Sequence, residues 1–173
     1  MTHSLSALRA AVLGSILLTG CSDDSSRPSD QVPQTGIFVD AAVAGIGYFT
    51  ASQAGVTDAD GRYNYLPGET VVFFIGGIEF PAVTAKGIVS PLDIALETNN
   101  SADLDSPLVV NIARLLQSLD ADGNPDNGIE IPANLSPGAT LDVTGDSTAF
   151  EIAFAAEFPA FGLVSVSDAT NHL

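Results

Sequence analysis

With 173 residues and 21 acidic side chains against five lysines and arginines, this chain carries a net charge of −16. It offers no basic patch for a phosphate backbone, which excludes nucleic-acid partners. Its one cysteine and two histidines, with no tryptophan, leave no disulfide framework and little material for a histidine-ligated zinc or a Ser-His-Asp site.

The chain opens on a signal-like segment. Arg9 precedes a run from Ala10 to Leu18 that is apolar apart from Gly14 and Ser15, and Ser22-Asp23-Asp24 turns abruptly polar. A run this short falls well below the roughly 20 residues that span a hydrocarbon core, but it suits a secretory h-region. Leu18-Thr19-Gly20-Cys21 resembles the lipobox of bacterial lipoproteins. That resemblance implies cleavage before Cys21, acylation of its sulfur and new amino terminus, and a membrane partner reached through the lipid. By the same likeness Ser22 favours the outer membrane. Removing residues 1–20 leaves all 21 acids facing only Arg27, Arg62, Lys86 and Arg114. Residues 21–35 read as a disordered acidic tether, about 20 Å in reach.

From residue 36 to 89 short strands alternate with turn signals. Ile37–Val39 and Ile46–Thr50 are the first two strands. Asp58-Ala59-Asp60-Gly61 is an Asx-type turn into the alternating Arg62–Tyr65, and Leu66-Pro67-Gly68-Glu69 turns into the apolar Thr70–Ile75. Gly76-Gly77 is a two-residue hairpin loop to Ile78–Phe80, Pro81 limits further pairing, and Ile88-Val89 is a last strand. Val39–Gly45, Gly55–Tyr63 and Leu66–Glu69 together resemble the carboxypeptidase regulatory-like, transthyretin-type β-sandwich. The likeness implies a small antiparallel sandwich serving as a spacer, stabiliser or binding module, and it carries over no catalytic residue.

Residues 90–173 read as a helical extension of two or three helices packed on the sandwich, giving a mainly β, α+β fold. Ser90-Pro91 and Ser106-Pro107 each set an N-cap before proline at N1. Leu108, Ile112, Leu115, Leu116 and Leu119 then share one helical face, the clearest helix in the chain. Thr148-Ala149-Phe150-Glu151 fits a capping box, and Phe150, Phe154 and Phe158 follow at core-packing spacing. Ser165–Asp168 starts a last short helix that either docks on the domain or leads into a missing one, with His172 at its frayed end.

Asp120-Ala121-Asp122-Gly123-Asn124-Pro125-Asp126 and Glu130 follow the long helix. Acids there face the negative end of the macrodipole, and alternating oxygens suit a hard cation, so Asp120, Asp122, Asn124, Asp126 and Glu130 form a candidate calcium site. Pro125 and Ile131 depart from the EF-hand pattern at the turn glycine and the bidentate acid. Asp58 and Asp60 are a weaker second candidate. Asn111–Gly123 with Asn127-Gly128-Ile129, Gly36–Asp40 and Ile75–Ile78 also resembles uncharacterised gammaproteobacterial envelope lipoproteins. The expectation is a non-enzymatic, lipid-anchored envelope module for binding, adhesion or structure, with a protein partner or surface ligand. Its alternative is a hydrolase using two carboxylates on polysaccharide.

Overall fold

The computed structural model describes residues 31–173 apart from 102, 136, 139 and 140. The signal segment 1–20, Cys21 and the tether up to residue 30 lie outside the described residues. Nine strands come first: β1 (Gln34–Phe38), β2 (Val43–Ala44), β3 (Gly47–Phe49), β4 (Ala54–Val56), β5 (Arg62–Tyr65), β6 (Thr70–Ile75), β7 (Ile78–Glu79), β8 (Val83–Thr84) and β9 (Ile88–Val89). Helices α1 (Pro91–Asn99) and α2 (Pro107–Ser118) follow, then a 3-10 turn at Pro125–Asn127, β10 (Ile129–Glu130), α3 (Ser147–Glu157) and α4 (Val166–His172). The fold is α+β, nine strands first and then helices, with the short β10 between α2 and α3.

Alternation decides which face each strand buries. Tyr63 and Tyr65 point inward from β5, and Val71, Phe73 and Ile75 from β6, while the residues between them are exposed or half-buried. Three strands pair in the order β5-β1-β9, and a second sheet runs β4-β3-β6-β7 with β8 also on β6. Their inner faces meet through aromatic rings: Phe38 stacks on Phe73 at 4.3 Å, and Tyr63 meets Phe73 edge-on at 5.1 Å. The sandwich is not wholly antiparallel, as its resemblance implied. β1 pairs with β9, and β2 with β10, in parallel, because each partner returns only after a long excursion of chain.

The helices share the sandwich's core. One continuous buried cluster runs from Phe38 through Leu108, Ile112, Leu115, Leu116 and Leu119 to Phe150, Phe154 and Phe158. The phenylalanine stripe is therefore core packing, and Leu108, Ile112, Leu115, Leu116 and the C-cap Leu119 are all buried as their spacing predicts. Ser90 and Ser106 cap α1 and α2 as expected, Ser90 in a full capping box with Asp93.

Several boundaries differ from the expectation. β1 begins at Gln34, inside the expected tether, because Gln34 and Thr35 continue the ladder opposite Tyr65 and Asn64. Pairing continues past Pro81 into β8. α3 starts two residues early: Asp146, not Thr148, is the cap, its Oδ1 accepting from the Thr148 and Ala149 N–H groups at 2.9 Å each. An ionised carboxylate beside the positive end of a helix outcompetes a hydroxyl for the same role. Among the described residues there are four α-helices where two or three were expected, and α4 docks against α2.

Candidate functional site

Residues of both acidic turns line one open cleft. Its volume is about 520 Å³, its floor is the β2–β10 pair, and Asp58 stands across from Asp120, Asp122 and Glu130. The sequence elements that build it are short and polar. Asp58 Oδ1 accepts from the Asp60 and Arg62 N–H groups, forming the expected Asx turn, which Gly61 completes at φ +72°. Opposite, α2 ends at Leu119, and the chain enters the cleft wall at Asp120.

Asp120 is buried, and both its oxygens accept backbone donors. Oδ2 takes the Asn124 N–H at 2.8 Å and Oδ1 the Glu130 N–H at 2.9 Å. Asp122 does the same locally: Oδ1 takes the Asn124 N–H, and Oδ2 the Asn127 side-chain amide, each at 2.9 Å. The charge expected to suffer at the helix C-terminus is thus met by loop N–H donors, which close the segment into a cap. The Asn127 side-chain amide, then the Asn124 N–H and the neighbouring Asp120 side chain, hold the Asp122 carboxyl below its ordinary range. Asp58 is held low as well, first by the Arg62 backbone N–H.

Of the five expected calcium ligands, Asp120, Asp122 and Glu130 line the cleft and are joined there by Asp58; Asn124 and Asp126 do not line it. Asp126 is turned instead to His172, whose Nδ1 lies 3.5 Å from its Oδ1. Among the described residues no three His, Cys, Asp or Glu side chains converge into a metal-binding group. His172 itself is not frayed: its side chain is 17% exposed and Nε2 is buried.

Two features escaped the sequence. One is the polar stripe of α2, buried on every side. Asn111 donates to the carbonyls of Val143 and Gly145, Arg114 Nε donates to Val164 O at 2.7 Å, and Ser118 Oγ accepts the Val164 N–H at 2.8 Å. The three-residue spacing of Asn111, Arg114 and Gln117 was the available signal, since it marks a second helical face. The other is the outer face of the second sheet. Phe49 and Phe74 sit side by side there, with Val72 opposite Phe49 and Val56 exposed at the rim on β4. Among the described residues β4 is hydrogen-bonded only to β3, and all three of its residues, Ala54, Gly55 and Val56, are exposed.

The fold and cleft define a class, an acidic α+β protein with helices closed over a short-stranded sandwich. Comparison with protein-family models, with curated proteins and with solved structures found no match to this chain.

Proposed function

We propose that this chain is a lipid-anchored cell-envelope protein, held at the outer membrane through Cys21, that acts as a non-enzymatic module for binding, adhesion or support. The observation that carries the binding role is the open edge of β4. Edge strands are ordinarily protected by charge, proline or a bulge, whereas Ala54-Gly55-Val56 has none of these and borders an apolar face. Such an edge accepts an extended segment of a partner protein by adding a strand, with Val56 and Phe49 supplying side-chain contact.

The test captures envelope proteins from detergent-solubilised membranes on the full chain and on Val56→Lys. We expect a discrete partner that Val56→Lys loses; equal capture by both defeats the edge-strand role. Palmitate labelling that persists in Cys21→Ser defeats the anchor.

Asp58, Asp120, Asp122 and Glu130 line one cleft without meeting as a metal-binding group, and that shared acidic lining is what supports a second, narrower reading in which Ca²⁺ stabilises the module. Millimolar Ca²⁺ is expected to raise the melting temperature, and an unchanged melt removes calcium from the account. Polysaccharide hydrolysis is less well supported. A glycosidase needs one carboxyl kept protonated, yet Asp58 and Asp122 are both held low. Turnover on a glycan panel, abolished by Asp58→Asn, would establish it instead.

A further inference from the structure

One carboxyl is pushed toward neutrality, and it lies beneath the last helix. Asp40 occupies the turn between Val39 and Ala42 and is 9% exposed. Its Oδ2 accepts from Gln117 Nε2 at 3.1 Å; its Oδ1 is buried with no partner among the described residues. The same amide nitrogen donates to Ala169 O at 3.3 Å, so one side chain of α2 ties the β1–β2 turn to α4. Nearby, His172 Nε2 is also buried without a partner. A buried carboxylate with a single side-chain donor is costly, and its neutral form is much less so.

The charged surroundings give little compensation. On α2, Arg114 is engaged by Val164 O and by Glu151 at 2.9 Å. On α4, Asp168 is exposed and hydrogen-bonded by Ser165, leaving His172 as the group that acts on Asp40. Beyond His172, Asp126 is largely exposed. On α1, Asp93 is paired with Lys86 at 2.6 Å.

We propose that α4 is an acid-tightened clasp: proton uptake by Asp40 removes the buried charge beneath the helix and holds it down, and proton loss loosens it. Burial pushes the Asp40 carboxyl up from 3.8 to about 6, despite the lowering influence of Gln117 and His172. A native value above the unfolded one favours the closed form below the unfolded value, and that advantage is lost as pH rises through about 6. The clasp is short: α4 has seven residues, and Ala169 is its only fully buried one.

Hydrogen exchange on the full chain tests this. Corrected for intrinsic rates, the opening equilibrium of the α4 amides is expected to fall about tenfold between pH 7.5 and pH 5, a window that spans the Asp40 transition. In Asp40→Asn it is expected to be the same at both pH values. An α4 opening that ignores pH in the native chain, or that shifts equally in Asp40→Asn, overturns the clasp. Should Asp40→Asn fail to fold, carboxyl-carbon NMR of the native chain decides: a midpoint near 6 with coincident shifts at Ala169 supports the proposal, and an ordinary carboxylate midpoint overturns it.

Discussion

Asp120 uses one side chain to close a loop of ten residues, taking the Asn124 and Glu130 N–H groups on separate oxygens. Replacing it with alanine strands two donors at the edge of the core, and hydrogen bonds to a charged acceptor typically contribute about 1.5–3 kcal/mol each. Because Asn124 and Glu130 lie at the solvent side and their freed N–H groups regain some water, Asp120→Ala is expected to cost less than that sum, about 2–4 kcal/mol of unfolding free energy, read from the urea midpoint at unchanged slope. Gly45, on the same cleft, has φ +83°, and an added Cβ would stand 2.5 Å from Ile131 O. Backbone cannot swing aside as a side chain can, so Gly45→Ala is expected to cost about 1–3 kcal/mol by the same measurement. The sequence made the Asp-rich loop visible, and Gly61's turn with it. It could not show that Asp120 turns back on its own backbone, because alternating oxygens look the same whether they meet a cation or N–H groups. Asp40 was less legible still: its neighbours in sequence are apolar, and its partner Gln117 lies far along the chain.

At the scale of elements, α2 dominates. Its apolar stripe was readable because 3.6-residue periodicity needs no knowledge of the partner. The polar stripe was not, since Asn111, Arg114 and Ser118 look like an ordinary solvated face until the carbonyls and N–H group of residues 143–164 arrive to meet them. These side chains knit the C-terminal segment to the core. Leu115→Ala, at a fully buried site, is expected to destabilise by about 2–5 kcal/mol. Arg114→Met keeps the volume but strands Val164 O, and about 1–3 kcal/mol should be lost in a thermal or urea melt. The Glu151 pairing adds less to that figure, since its carboxylate is half in water. Helix starts followed the same division. Ser90 and Ser106 were legible beside their prolines, while Asp146 was overlooked because Thr148 offered an equally plausible local pattern three residues ahead of Glu151.

For the whole molecule, charge of one sign sets a further expectation. At −16 the folded state gathers acids that the unfolded chain holds farther apart, and salt screens their repulsion within about 10 Å at 0.1 M. Raising NaCl from 10 to 200 mM is expected to raise the melting temperature, and a melt independent of salt would show that the acids are too dispersed to interact. The parallel pairing of β2 with β10 has a consequence in time. A chain that emerges N-terminus first, from a ribosome or from an export pore, presents Val43 and Ala44 long before Ile129 and Glu130, so the first strands wait, with one edge open, until α1 and α2 have followed. Pairing between such distant segments slows folding relative to local contacts and leaves the early strands exposed to wrong partners. A chaperone that shields the nascent strands would matter more here than for a sandwich whose strands are all neighbours in sequence.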